Sequence, residues 1–211
     1  MGAQKHTTTD IAAQLIAADS RFSELVERFG LPPKRSIVKP GLRFPYLCRA
    51  ILHQQLATKA AEAITSRVFA LADGAPTADF ILGISEEELR SCGASGAKAA
   101  SLFDLASRVE NGSITLDTMA RLPDETVIAQ LTAVRGIGPW TAQMFLMSAL
   151  ARHDVWPVLD YGVRAGWTVL QGETELITPK ALEAAGEPYR PWRSSVAWYC
   201  WRLADAAKEQ R

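Results

Sequence analysis

The stretch from Leu131 to Ala142, which runs through Arg135, Gly136, Ile137, Gly138, Pro139, Trp140 and Thr141, restricts the fold more than any other part of the chain. It reads as the end of one helix, a glycine hairpin and the start of a second helix. Gly136 supplies the left-handed conformation that closes a helix. Gly138 lets the backbone approach a partner closely. Pro139 suits the first helical turn, where its missing N–H costs nothing. The second helix then presents unpaired N–H groups at its start, a seat for a phosphate oxygen. Asp160 follows on the next element. A phosphate seat with a carboxylate beyond it suggests a chain that grips a nucleic-acid backbone and does chemistry beside it.

Around this hairpin nearly every periodic segment is helical, and no convincing alternating strand occurs. Helices are expected over Asp10–Ala18 and Arg21–Phe29, the second ended by Gly30. Leu31 to Leu42 carries Pro32, Pro33 and Pro40 among Lys34, Arg35 and Lys39, and reads as an ordered basic loop that Arg43 follows. Phe44–Gln55 is amphipathic, and Thr58 caps a helix reaching about Ala72. Ser85 with Glu88 forms a capping box for a helix that Gly93 ends. Ser95 opens another, to about Asn111. Asp124 caps the helix entering the hairpin, and Pro139–Arg152 leaves it. Asp160 sits at the cap of Tyr161–Leu170. Thr178-Pro179 opens a short helix ended by Gly186, and Pro191–Lys208 is the long final helix. Repeats and low-complexity segments are absent.

With 211 residues the chain suits one large domain or two small lobes, and 48% hydrophobic residues supply a core. Lys plus Arg equals Asp plus Glu, 23 each, so no global basic field exists. Neutrality counts mildly against nucleic-acid binding, but hairpin amides and a few local cations suffice to hold a short stretch of backbone. Cys48, Cys92 and Cys200 are far apart and odd in number, which reads as reduced thiols in a reducing compartment. Near the start, Gln4, Lys5, His6 and Asp10 show no apolar signal region, and no apolar run approaches the ~20 residues that span a bilayer. A cytoplasmic, nucleoid-associated protein with no membrane partner is expected, as a monomer.

Gly136-Ile137-Gly138-Pro139-Trp140-Thr141-Ala142 followed by Pro157-Val158-Leu159-Asp160 resembles the helix-hairpin-helix, Gly/Pro-loop, catalytic-Asp signature of DNA glycosylases (HhH-GPD). Three further stretches narrow the likeness to the 3-methyladenine DNA glycosylase II (AlkA) type. They are Arg49-Ala50-Ile51-Leu52-His53-Gln54-Gln55, then Asp154-Val155-Trp156-Pro157-Val158-Leu159-Asp160-Tyr161, then Pro191-Trp192-Arg193-Ser194 leading to Trp201. The likeness runs from about Phe44 to the C-terminus. It implies an all-α, bilobal fold with a DNA-binding cleft between lobes: 44–152 holding the hairpin, and 1–43 plus 153–211. The larger bacterial members carry an additional N-terminal β-rich domain. Only about 43 residues precede Phe44, so a minimal form without that domain is expected.

The resemblance implies a monofunctional glycosylase that flips alkylated purines, chiefly 3-methyladenine and 7-methylguanine, out of double-stranded DNA and hydrolyses the N-glycosidic bond in base excision repair. Such bases already carry positive charge and leave readily, so the enzyme needs an anion near the sugar and an aromatic pocket for a cation. Asp160 takes the first role, although an Asp at a helix start often only caps. Trp140, Tyr161 and Trp201 are candidate pocket walls, with core packing as the plainer reading for Trp140 and Trp201. Trp192 and Trp198 read as core. Enzymes that also cut the backbone typically carry lysine at the hairpin position of Trp140, and tryptophan has no amine for a Schiff base. Gln54 and Gln55, with His53, fall where relatives place the side chain that fills the gap left by the flipped base. Glutamine at 55 departs from leucine in the bacterial type.

Arg135, Gly136, Ile137, Gly138 and Thr141 form the implied DNA-binding hairpin, with the amides of Gly136, Gly138, Trp140 and Thr141 as the phosphate grip. Backbone carbonyls of Thr132, Val134 and Ile137 are the implied seat of a monovalent cation, Na+ or K+. No cofactor is required, and the cysteine spacing of an iron–sulfur cluster is missing. Arg135, Lys59, Arg164 and Arg193 read as ordinary surface cations. Leu159 departs from relatives with two adjacent acids, which leaves Asp160 as the sole acid of that motif. Two alternatives stand beside this reading: a non-catalytic helix-hairpin-helix module that binds DNA, and a glycosylase for oxidised or mismatched bases.

Overall fold

The computed structural model describes residues 6–209. Helices α1 (Thr8–Ala18) and α2 (Arg21–Phe29) come first. Helices α3 (Arg43–His53), α4 (Thr58–Leu71), α5 (Ala78–Gly83), α6 (Glu86–Ser91), α7 (Gly96–Glu110), α8 (Asp124–Thr132) and α9 (Pro139–Ser148) follow. Helices α10 (Tyr161–Gln171), α11 (Pro179–Ala185) and α12 (Arg193–Glu209) come last. Among the described residues there is no strand, so the fold is all-α. No helix among them is long and apolar enough to cross a membrane.

The chain divides into two compact units. One is Ile37–Leu150; the other joins Met1–Ser36 to Ala151–Arg211. The boundaries therefore fall at 37 and 150 rather than at 44 and 152. The short connection before α3 belongs with the middle of the chain, because the Val38 N–H donates to the Ala149 carbonyl at 2.8 Å.

The unit Ile37–Leu150 is built on α3, whose Leu47, Cys48, Ile51 and Leu52 are fully buried. Val68, Leu102, Leu105, Val127, Leu131 and Phe145 of the other helices are fully buried in the same unit. Arg43 is only 2% exposed. Its guanidinium donates to the carbonyls of Val38, Leu116 and Asp117, which offsets the cost of burying the charge. Lys98 Nζ donates to the Leu52 carbonyl at 2.7 Å and satisfies an orphan acceptor near the end of α3.

The second unit closes around aromatic rings. Phe22 lies edge-on to Tyr199 and tilted to Tyr189, and Trp167 meets both Trp156 and Tyr189 edge-on. The polar tips are satisfied: Trp156 Nε1 donates to the Leu182 carbonyl, Tyr199 Oη to the Gly30 carbonyl and Tyr189 Oη to Asp19. The most intimate helix pair is α10 with α12. A Cβ at Gly166 would collide with the Cys200 carbonyl, so the two backbones touch there.

Several expected element details are corrected. Helix α3 stops at His53, because Gln54 turns to ψ 134° and Gln55 is left-handed with φ 57°. Thr58 and Asp124 are the first helical residues rather than caps; Ala57 and Pro123 hold the cap positions. Helix α9 ends at Ser148, four residues before Arg152, and α12 starts at Arg193, two after Pro191. Gly186 ends α11 in a right-handed conformation, φ −78°. Helix α5 went unread because six residues are too few to show a helical period; Thr77 caps it, its hydroxyl accepting the Phe80 N–H. The capping box at Ser85 and Glu88 forms as expected.

Candidate active site

Two constellations carry the site residues, one in each unit. In Ile37–Leu150 the hairpin leaves α8, turns through left-handed Gly136 (φ 77°) and enters α9 at Gly138 and Pro139. It is tied down from three directions. Asp104 on α7 accepts the Arg135 amide at 2.7 Å. Gln54 Nε2 donates to the Gly136 carbonyl at 2.9 Å. Ile137 is buried, anchoring the tip. A Cβ at Gly136 would stand 2.5 Å from Ser101 Oγ and would force that hydroxyl off the Ala97 carbonyl of α7. Gly138 has no such neighbour; a Cβ would meet nothing within 4 Å. It leaves the outer side of the α9 start open.

Arg135, Gly136, Gly138 and Trp140 are exposed, whereas Thr141 is buried. The Arg135 amide is engaged by Asp104, so it is not among the donors turned to a ligand. At the implied cation seat, the Val134 carbonyl accepts the Ile137 N–H at 3.1 Å. A carbonyl has two lone pairs, so this bond leaves one of them unused.

Beside the hairpin opens a cavity of about 380 Å³. Trp140, Thr141, His53, Gln54 and Gln55 all line it, so the structure brings five expected site residues around one space. Trp140 is 48% exposed, which rules out core packing for its ring. Tyr46, Arg49 and Met144 line the same space and were not singled out in the sequence. A signal existed. Tyr46, Arg49 and His53 fall at i, i+3 and i+7 of α3, and Trp140 and Met144 at i and i+4 of α9. Burial, aided by Arg49 and Lys98, holds the His53 imidazole below its ordinary pKa range despite Glu62. His53 Nε2 is buried with no hydrogen-bond partner among the described residues. Burial pushes the Tyr46 phenol up, against a hydrogen bond with Ser148.

In the other unit, Asp160 is the N-cap of α10, and its Oδ1 accepts the Val163 N–H at 2.8 Å. The same oxygen accepts Trp201 Nε1–H from α12 at 3.0 Å. Leu159 and Tyr161 flank it and are 68% and 65% exposed. Large apolar side chains this exposed on either side of a fixed carboxylate suit a surface that meets a ligand. Trp201 is half-buried. Trp192 is core, whereas Trp198 is only half-buried, with its ring edge-on to Tyr199. Arg193 is not a surface cation. It is 6% exposed and pairs with Asp154 at 2.6 Å, which neutralises it in place.

The HhH-GPD family model, described as a superfamily of base excision DNA repair proteins, matches residues 48–191. DNA-3-methyladenine glycosylase 1 of Schizosaccharomyces pombe is 35% identical over 96% of this chain and 92% of its own length. A crystal structure of a DNA-3-methyladenine glycosidase from Bacillus halodurans superimposes with a TM-score of 0.85 at 32% identity, covering 98% of this chain and 95% of that one. The S. pombe 3-methyladenine DNA glycosylase in complex with abasic DNA has a TM-score of 0.79 at 33% identity, covering 91% and 95%.

Proposed function

Because the chain belongs to the HhH-GPD superfamily of base excision DNA repair proteins, we propose that it is a monofunctional DNA glycosylase releasing alkylated purines, 3-methyladenine and 7-methylguanine, from duplex DNA. The observation that carries this is the Asp160 carboxylate, held by an amide and an indole N–H beside exposed Tyr161.

The scissile bond is inaccessible in stacked DNA, so the base must first be extruded. The amides of Gly136, Gly138, Trp140 and Thr141 grip the backbone, and Gln54 and Gln55 occupy the gap in the stack. Tyr161 presents an aromatic face to a cationic base. The C1′–N bond then breaks with its electron pair leaving on the base. The alkylated purine becomes neutral and the sugar becomes an oxocarbenium ion. Asp160 stabilises that developing cation, and its fixed orientation means that little reorganisation is needed as the charge forms. Water adds at C1′ and loses a proton, leaving free base and an abasic site. Trp140 has no amine, so no Schiff base forms and the strand stays intact. A Na+ or K+ on the carbonyls of Thr132, Val134 and Ile137 would add positive charge beside the gripped phosphate.

The test is base release from methylated duplex DNA by wild type and Asp160→Asn, with and without alkali. Wild type is expected to release free methylpurine, with strand breaks only after alkali. Asp160→Asn is expected to bind abasic DNA normally and to lose excision by at least about 100-fold. Near-native excision by the variant would remove Asp160 from the mechanism. DNA binding without base release by wild type would instead favour a non-catalytic binding module.

A further inference from the structure

The Asp160 carboxylate has an unusual support. Two donors, the Val163 amide at 2.8 Å and the Trp201 indole N–H at 3.0 Å, converge on one oxygen, Oδ1. The amide is the ordinary bond of an N-cap and comes from the next turn of the same helix. The indole comes from α12, 41 residues away.

Its reach depends on two glycines. Gly162 and Gly166 lie four apart on one face of α10. A Cβ at Gly166 would collide with the Cys200 carbonyl, so glycine there permits α12 to lie against α10. A Cβ at Gly162 would stand 2.8 Å from Trp201 Cδ1 and 3.2 Å from Asp160 Oδ1, so glycine there leaves room for the indole to reach the carboxylate. The N–H groups of Trp156 and Trp192 go to the Leu182 carbonyl and the Gln14 side chain. Trp201 gives its N–H to a carboxylate at the start of a helix.

We infer that Trp201 is a positioning residue for Asp160, with Gly162 as the clearance that admits it. This rests on the proposed glycosylase reading. A donor from another element restricts how far the carboxylate can turn about its Cα–Cβ and Cβ–Cγ bonds. An anion that stabilises a short-lived cation is effective only when it need not reorient as the charge appears.

Trp201→Phe keeps an aromatic side chain and removes the N–H. Full-length wild type and variant are compared in single-turnover release of 7-methylguanine from duplex DNA, alongside affinity for DNA carrying an abasic-site analogue. The variant is expected to excise about 10- to 100-fold more slowly, the loss of a hydrogen bond to a charged group, with affinity held within about twofold. Gly162→Ala retains the indole but pushes it off the carboxylate, and is expected to show the same split. It decides the matter if Trp201→Phe does not fold. Excision at the wild-type rate in the variants would overturn the inference. So would rate and affinity falling together by the same factor, the signature of a pocket wall or of general damage. No base release from wild type would instead sink the glycosylase reading on which the inference stands.

Discussion

At Gly136 the backbone sits at φ 77°, and the space a Cβ would fill belongs to Ser101 Oγ, 2.5 Å away. Both terms oppose any side chain: the left-handed conformation costs roughly 1–2 kcal/mol for an L-residue, and the clash adds to it. Gly136→Ala is therefore expected to lose about 2–3 kcal/mol of stability, with a matching fall in melting temperature and weaker binding to abasic DNA. Gly138→Ala meets open space and is expected to melt within about 1 °C of wild type. Thermal melts of the two variants side by side check this, and equal losses would contradict it. The pattern of two glycines was visible in the sequence, but their unequal duties were not. The left-handed turn at Gly136 follows from local chain chemistry, whereas the crowding depends on α7, some 30 residues earlier. Arg193 shows the reverse. It reads as a surface cation until Asp154 is found beside it.

The hairpin, as an element, is held by its neighbours as well as by its own bond from the Ile137 N–H to the Val134 carbonyl. Asp104 on α7 accepts the Arg135 amide and the Arg108 Nε, at 2.7 and 3.0 Å. Burial opposes its ionisation, yet these partners prevail and hold the carboxyl below its ordinary pKa. The folded value is thus lower than the unfolded one of about 3.9. The stabilisation is complete well above pH 4 and is lost as pH falls through the folded value. Asp104→Asn is expected to mimic that loss at neutral pH. Amide hydrogen exchange at Arg135 should speed up about tenfold, with abasic-DNA affinity falling several-fold. Unchanged protection at Arg135 would show that the tie carries no energy. The helix-turn-helix pattern is legible in the sequence because glycine and proline punctuate it. The ties from Asp104 and Gln54 are not, because both come from distant segments.

For the whole molecule, the contiguous unit Ile37–Leu150 has its own core and the other is assembled from both ends of the chain. In the discontinuous unit Phe22 of α2 packs on Tyr189 and Tyr199. A fragment spanning Ile37–Leu150 is expected to unfold cooperatively on heating, whereas Ala151–Arg211 alone, deprived of Phe22 and Leu15, is expected to lack a cooperative transition. Calorimetry of the two fragments checks this. A cooperative melt from Ala151–Arg211 would mean that its aromatic cluster does not need α1 and α2.

Local rules acting within a few residues were enough to specify most of this protein. The helical period, the Ser85 and Asp160 caps, the left-handed glycine and Pro139 at a helix start made an all-α chain with one hairpin legible. What only the tertiary structure decided were relations between residues far apart in sequence. These are Tyr46, Arg49 and Met144 sharing a cavity with Trp140, Asp104 anchoring Arg135, and Trp201 reaching Asp160 over Gly162. Periodicity and capping report the conformation of one segment and carry no information about which segment lies against it. That choice is made by shape and burial when the helices pack.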